Sequence, residues 1–395
     1  GYLALTAATT GPQNTAIGTQ ALAALTTASD NVAVGKKALF ANTTGNSNVA
    51  VGKSSLDANT TGASNTAVGN SALGANTTAS NNVAVGASAL VANTTGTNNV
   101  AVGANALDAN TTTSSNTAIG YQTLTANTAA GNTAVGSTTM AANTTGASNV
   151  AVGADALEVN TTGGYNVAIG NQALDANTTA SNNVAVGYDA MSANTTGTDN
   201  VAVGSNALDA NTTGSDNTAL GDNALGAVST GSDNTAVGTS ALLVNTGGGN
   251  TAVGAYSLDA NTADDNTAVG RNALTANTTA AGNTAVGSYS GETVTTGANN
   301  TFLGHKAGRV TTTGTQNTAV GVESLVANTT GNYNSGLGRR SLYANTTGSN
   351  NTALGQDALN ANTTADNNTA VGLNALYANT TSPNNVAVGY AALDA

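Results

Sequence analysis

Small, aliphatic and amide positions recur along the chain at a nearly constant interval. A pentapeptide of the form Asn-Thr-Ala-Val-Gly first occupies Asn14–Gly18, last begins at Asn385, and occurs 23 times. Successive copies lie 17 residues apart, except for three intervals of 16 that begin at Asn116, Asn234 and Asn250. A fixed period of this kind is the signature of a repeat architecture.

Counted from its leading Asn, the unit reads N-[TV]-A-V-G-x-x-A-L-x-A-N-T-T-G-x-x, with positions numbered 1 to 17. Position 1 is Asn and position 5 is Gly in all 23 copies, and position 4 is always Val, Ile or Leu. Position 9 is Leu in 19 copies and Met in two, and it is Gly at Gly291 and Gly308.

Positions 2 to 4 predict a short β-strand that ends at the Gly of position 5. β-Branched residues suit a strand, and Gly permits a bend that residues with a Cβ resist. Residues two apart in a strand share a face, so positions 2 and 4 face one way and the Ala of position 3 faces the other. We expect positions 2 and 4 to face the core and the Ala to face outward.

The rest of the unit predicts a second inward-facing segment followed by a turn. Ala-Leu-x-Ala at positions 8 to 11 would present Leu to the core. The Asn-Thr-Thr-Gly that follows is typical of turns, because Asn tolerates the left-handed region and Gly supplies a positive φ. All three shorter units lose their residue here, which indicates a fixed strand register and a variable turn.

Stacked units of this kind predict an all-β fold, a parallel β-solenoid (β-roll) of about 23 coils with a 17-residue repeat. At the usual strand spacing of about 4.8 Å, the array would be a rod of roughly 110 Å. Identical side chains would then form ladders, and the leading Asn would satisfy its amide by stacking on the next Asn. We therefore interpret the repeating Asn as structural rather than ligand-binding.

Each coil offers few aliphatic side chains, so a single thin solenoid has little apolar area to offset the entropy of ordering its backbone. A flat outward Ala face would suit close approach by another chain. These two features favour a homo-oligomer, most simply a trimer around a common axis.

Composition narrows the function classes. The chain has no Cys, one His, 7% charged residues and a net charge of −12. Eight Lys and Arg cannot form a phosphate-neutralising patch over 395 residues, which argues against nucleic-acid binding. No apolar run approaches the ~18 residues of a membrane helix. We interpret residues 1–395 as a single repeat array, a piece of a longer chain because both ends fall inside a repeat.

The segments Asn31–Leu39 and Asn99–Leu107, of the form Asn-Val-Ala-Val-Gly…Ala-Leu, resemble the haemagglutinin-like head repeats of trimeric autotransporter adhesins. That family has a somewhat shorter period, and the resemblance implies a trimeric, left-handed parallel β-roll. Units that continue into Asn-Thr-Thr-Gly are similar to repeat arrays in tail-fibre-like proteins of phages and aquatic bacteria. The resemblance covers essentially the whole chain.

Candidate chemistry is sparse. His305 has no partner His or Cys for a metal or nucleophile role, and no phosphate loop or calcium-binding nonapeptide occurs. Asn-Thr-Thr sequons such as Asn42–Thr44 are interpreted as incidental. We predict no catalytic, cofactor-binding or metal residues. Asp recurs at position 10 and is interpreted as part of a solvated face: Asp57, Asp108, Asp175, Asp209, Asp259 and Asp394.

The pattern loosens only at residues 288–313. Here Gly291 and Gly308 replace the Leu of position 9, Phe302 replaces the Ala of position 3, and Val310 lies nearby. We predict that Phe302, with Val310, refills the volume lost from the Leu ladder. A loose cluster of basic residues makes the same region a candidate binding patch: Lys306, Arg309, Arg339 and Arg340.

These features favour a non-enzymatic structural rod of an extracellular fibre, an adhesin head or stalk or a tail-fibre shaft at a cell surface or on a virion. A self-assembling filament is a close variant, and a receptor would be contacted through regions outside this segment. The alternative is an ice-binding or glycan-binding β-solenoid. Ice binding is disfavoured because one Thr pair lies in a turn and the strand Thr is predicted to face inward. An enzyme would need a carboxylate cluster in a groove, which the sequence does not indicate.

Overall fold

The computed structural model describes residues 1–394, which form strands joined by turns and bends. The chain divides into two compact units, Gly1–Asp199 and Asn200–Ala395. Each unit is a parallel β-solenoid in which every repeat forms one coil, so the predicted fold class is confirmed.

Every coil of the first unit contributes one three-residue strand at positions 2 to 4. Paired strands are parallel and join identical positions, so that Ala33 lies beside Ala50 and Ala50 beside Ala67. The strands are β1 Thr15–Ile17, β2 Val32–Val34, β3 Val49–Val51, β4 Thr66–Val68, β5 Val83–Val85, β6 Val100–Val102, β7 Thr117–Ile119, β8 Thr133–Val135, β9 Val150–Val152, β10 Val167–Ile169 and β11 Val184–Val186.

The second unit repeats this arrangement with the same in-register parallel pairing, for example Thr235 beside Thr251. Its strands are β12 Val201–Val203, β13 Thr218–Leu220, β14 Thr235–Val237, β15 Thr251–Val253, β16 Thr267–Val269, β17 Thr284–Val286, β18 Thr301–Leu303, β19 Thr318–Val320, β20 Ser335–Leu337, β21 Thr352–Leu354, β22 Thr369–Val371 and β23 Val386–Val388.

Hydrogen bonds between coils continue well beyond the strands. Within the first unit, the amide of Val32 donates to the carbonyl of Asn48 in the next coil at 2.9 Å, and the amide of Thr43 donates to Thr60 at 2.9 Å. The amide of Lys37 donates to the preceding coil instead, at 2.9 Å. The bends therefore satisfy their backbone groups through their neighbours, as a buried backbone requires.

The predicted orientation of the strand is wrong. The Ala of position 3 is fully buried, as at Ala33 and Ala50, whereas positions 2 and 4 are partly exposed. The interior is narrow, and the buried Leu of position 9, such as Leu39, already occupies it. Only a methyl group fits between the strand and that Leu, so the small residue faces inward and the β-branched pair faces outward. The flat outward Ala face proposed as an oligomer contact does not exist.

The chain bends where the sequence predicted a bend, and also at positions that the sequence did not mark. Gly35 at position 5 has a φ of 138°, and a Cβ there would lie 2.6 Å from the carbonyl carbon of Gly52. Positions 7, 9 and 17 are left-handed as well, including Leu39 with a φ of 50°. The predicted left-handed turn at Asn-Thr-Thr-Gly is wrong, because neither Asn42 nor Gly45 has a positive φ.

The three 16-residue units shorten in the turn region while their strands stay three residues long, as predicted. In the first of them, the carbonyl of Ala129 accepts hydrogen bonds from Asn116 at 2.9 Å and Asn127 at 2.8 Å, the role that position 15 has elsewhere. Gly131, just before the next leading Asn, keeps a positive φ of 75°. The residue lost is therefore one of the turn residues between positions 12 and 15.

Candidate functional site

The leading asparagines form a buried ladder, as predicted. Oδ1 of Asn31 accepts from the backbone amide of Asn48 at 2.9 Å and from its side-chain Nδ2 at 3.2 Å. The same Nδ2 also donates to the carbonyl of Gly62 at 2.9 Å. Both polar ends of such an amide are thus used inside the stack, which leaves it no capacity for a ligand; among residues 1–394, Asn368 is an exception, because its buried Nδ2 has no hydrogen-bond partner.

A second ladder runs through the Asn of position 12, which the sequence assigned to a turn. Nδ2 of Asn59 donates to Oδ1 of Asn42 at 2.8 Å and to the carbonyl of Gly62 at 2.9 Å. Gly62 therefore joins the two ladders through one carbonyl group. The second ladder is interrupted where Val228, Val294 and Thr311 replace Asn, and it resumes at Asn328. The buried Oδ1 of Asn277, in the coil before Val294, has no hydrogen-bond partner among residues 1–394.

The compensated exchange predicted in residues 288–313 is confirmed for Phe302, which is fully buried. A Cβ at Gly291 would lie 2.9 Å from the Phe302 ring, and a Cβ at Gly308 would collide with it. Phe302 therefore fills the space of two Leu side chains. The part assigned to Val310 is wrong, because that side chain is 39% exposed; Val294 is the buried Val of this region.

The aspartates of position 10 do not form a stripe, because coils that carry Asp are separated by coils that do not. Burial raises the pKa of four of them above the usual 3.8: Asp57, Asp108, Asp175 and Asp259. For Asp57, hydrogen bonding from Ser54 and the charge of Lys37 oppose that rise. These four carboxyl groups are therefore partly withdrawn from solvent, whereas Asp394 is exposed, as the solvated-face interpretation predicted.

Residues 1–394 contain no group of three or more His, Cys, Asp or Glu placed to hold a metal ion. Within the same range, no helix is long and apolar enough to cross a membrane. A concavity lies on the last two coils, beside Leu376, Asn379 and Asn385. These side chains belong to positions 9, 12 and 1, so the concavity has the same lining as the repeat core.

The basic residues of the second unit meet at one edge of the solenoid. We call this the basic edge: positions 6, 7 and 10 of the coils that begin at Asn266, Asn283, Asn300, Asn317 and Asn334. It brings together the predicted Lys306, Arg309, Arg339 and Arg340, and adds Arg271, Tyr289, His305 and Tyr343. One signal in the sequence could have found these additions, since they share three positions of the repeat.

Aromatic rings lie among these cations. The Arg271 and Arg309 guanidinium groups lie 5.9 and 5.8 Å from the centre of the Tyr289 ring. His305 meets the same ring edge-on, with 6.4 Å between ring centres. Arg309 also pairs with Glu292 at 2.6 Å. His305, isolated in the sequence, thus belongs to a cation–aromatic cluster rather than to a metal site.

The outward strand face is a second surface that sequence reasoning placed on the wrong side. In the second unit, position 2 carries a hydroxyl in ten successive coils, from Thr218 to Thr369 with Ser335 among them. Position 4 beside it is aliphatic, and several of these side chains are more than a third exposed, including Leu220 at 46%. The first unit has Val at most position 2 sites instead.

No protein-family model matches this chain, and comparison with curated proteins likewise gives no match.

Proposed function

We propose that this chain is the structural repeat array of an extracellular fibre, an adhesin head or stalk or a tail-fibre shaft at a cell surface or on a virion. One observation carries the proposal: the buried positions are nearly the same in every coil, whereas positions 6, 7, 10, 16 and 17 vary freely. Each coil satisfies its amides through its neighbours, so length can grow by adding coils. Constant buried positions with variable surface positions suit a spacer better than a protein built around one site.

Homo-oligomerisation, as a trimer or a filament, remains part of this proposal. Its contact would be the outward Thr/Val face of the strands, because the Ala face lies inside the coil. That face has partly exposed aliphatic side chains in register from coil to coil. Val150 and Val152, each 37% exposed, lie beside Val167 and Ile169 of the next strand.

Light scattering and electron microscopy of the purified chain test the fibre proposal. A deletion of residues 31–98, four whole repeats, keeps the Asn ladders in phase. The expected result is a discrete oligomer or filament whose folded segment shortens by about 19 Å on deletion. A compact particle whose dimensions do not scale with repeat number would contradict the proposal.

Ice binding is the second candidate, and the outward hydroxyl column of the second unit favours it. Regular hydroxyl and methyl groups on a flat face could order water in a lattice-like array. Thermal hysteresis measurements on the purified chain test it, with Thr251→Val, Thr267→Val and Thr284→Val as the variant. Ice-growth inhibition that falls in the variant would support this function, and its absence in the parent chain would reject it.

A further inference from the structure

The positive charges of this protein are confined to one part of the repeat. All eight Lys and Arg lie at positions 6, 7 or 10. In the second unit, the five cations fall between Arg271 and Arg340, with only Glu292 and Glu323 among them. The rest of that unit carries ten acidic residues and no Lys or Arg. The basic edge is therefore a positive band on an otherwise acidic solenoid.

The position 6 side chains of the basic edge have a regular spacing. Arg271, His305 and Arg339 all occupy position 6, in the first, third and fifth coils of the basic edge, and all three are exposed. Coils are about 4.8 Å apart, so these groups recur about every 9–10 Å along the stack. Ser288 and Val322 occupy position 6 in the coils between them.

Some of these cations already have partners and some do not. Arg309 pairs with Glu292 at 2.6 Å, and Arg340 lies 3.5 Å from Asp357. Within residues 1–394, Arg271, Lys306 and Arg339 form no ion pair. Their charge is available to a ligand, whereas Arg309 and Arg340 are balanced by neighbouring carboxylates.

The rings supply a second kind of contact. Tyr289 lies in the coil between Arg271 and Arg309, and the Arg340 guanidinium lies 4.9 Å from the centre of the Tyr343 ring. Tyrosine combines an apolar ring with a polar hydroxyl, which suits the faces and hydroxyl groups of a sugar. Arginine guanidinium groups recognise carboxylates through paired hydrogen bonds.

We propose that the basic edge binds a linear acidic polysaccharide that carries one carboxylate per disaccharide. Such a chain would run along the stack, its carboxylates meeting the position 6 groups of alternate coils and its sugar rings packing on Tyr289 and Tyr343. The spacing of about 9–10 Å is close to the length of a disaccharide in an extended glycan, and it follows from the coil spacing alone. This binding function goes beyond the proposed structural role.

A nucleic acid fits this edge less well. Its affinity would come from many closely spaced phosphate contacts, each of which needs a cation. Here the unpaired cations are few, they are spaced by two coils, and Glu292 and Glu323 lie among them.

Isothermal titration of the full chain with a hyaluronan octasaccharide tests the proposal, because this probe has one carboxylate per disaccharide. We expect saturable binding that Arg271→Ala/Arg339→Ala weakens by about tenfold, through loss of two charge-assisted contacts. Tyr289→Ala should weaken it as well. Lys36→Ala/Lys37→Ala is the matched control, since both lysines occupy positions 6 and 7 and Lys37 lies 5.4 Å from the Phe40 ring, in the first unit.

The other outcomes overturn the proposal. Equal binding of a neutral N-acetylglucosamine oligomer would show that charge is not recognised. Tighter binding of single-stranded oligothymidylate, unaffected by Tyr289→Ala, would make the edge a general polyanion surface. Loss of binding in the Lys36/Lys37 control, or no binding by the parent chain, would also reject it. Because the variants replace surface side chains, an unchanged thermal unfolding midpoint verifies that they fold.

Discussion

Two buried asparagines in most coils, at positions 1 and 12, supply most of the side-chain hydrogen bonding inside the solenoid. In most of the array, each donates to a backbone carbonyl of position 15 and contacts its counterpart in the neighbouring coil. A buried amide without such partners would cost free energy, so the ladders depend on uninterrupted stacking. This explains why position 1 tolerates no other residue in any copy.

Replacing one Asn of a ladder should therefore destabilise the array. In Asn65→Ala, the backbone amide of Asn82 loses its acceptor, which it now reaches at 3.0 Å. We expect a loss of about 1–3 kcal/mol in the free energy of unfolding, the cost of a buried unsatisfied group. Urea denaturation measures it, and amide hydrogen exchange at Asn82 should quicken.

Asn70→Ala is the matched control, because Asn70 is exposed at position 6, where Ala87 occurs naturally in the next coil. If Asn65→Ala and Asn70→Ala had equal free energies of unfolding, the ladder would not contribute to stability.

At the scale of one element, the strand β18 shows how closely the side chains of positions 3 and 9, which face each other inside the solenoid, are matched in size. Its Phe302 lies beside Ala285 and Ala319 in the neighbouring strands, yet the register is unchanged. The ring is accommodated because Gly291 and Gly308 remove the facing Leu side chains. Both glycines keep the left-handed φ of 57° that Leu adopts elsewhere at position 9.

Because of this exchange, Leu at position 9 should destabilise the coil when Phe302 is present and stabilise it when Phe302 is replaced by Ala. Phe302→Ala should cost about 3–5 kcal/mol through the cavity it leaves. Gly308→Leu alone should also destabilise, because its side chain would collide with the ring. The combination of Phe302→Ala, Gly291→Leu and Gly308→Leu rebuilds the common coil and should recover much of the loss.

Chemical denaturation of the four proteins gives the cycle. Val310→Ala, at a side chain 39% exposed, is the control and should change stability little. A triple variant no more stable than Phe302→Ala would refute the exchange.

At the scale of the whole molecule, the protein has a net negative charge, and some of its carboxyl groups are half-buried. Burial raises the pKa of Asp57, Asp108, Asp175 and Asp259 above 3.8. The folded chain therefore binds these protons more tightly than the unfolded chain does. Their contribution to stability is present below pH 3.8 and is lost as the pH rises through the raised pKa values.

We thus expect the urea midpoint to rise as the pH is lowered from neutral toward about 4, where these carboxyl groups take up protons. Replacing all four aspartates with Asn should flatten this dependence and raise the midpoint at neutral pH. The matched control replaces four exposed aspartates of position 17, where Asn also occurs naturally: Asp30, Asp199, Asp216 and Asp233. Equal effects of the two sets would mean that net charge, rather than burial, sets the pH dependence.

The amino-acid sequence alone was enough to predict the period, the strand at positions 2 to 4, the bend at Gly35 and its equivalents, and the stacking of the leading Asn. These follow from local parity and from the placement of identical residues one coil apart. The sequence also predicted where the shorter units lose a residue, because only the turn can change length without shifting the register.

Which face of the strand lies inside became clear only from the packing of the coil. A period of two separates the faces but does not say which is buried; the narrow space left by Leu39 and its equivalents admits Ala and excludes Val. The basic edge likewise depends on the left-handed residues at positions 7 and 9, which turn positions 6, 7 and 10 to one side. A left-handed Leu is unfavourable in isolation, so no local propensity predicts it, and packing between coils imposes it.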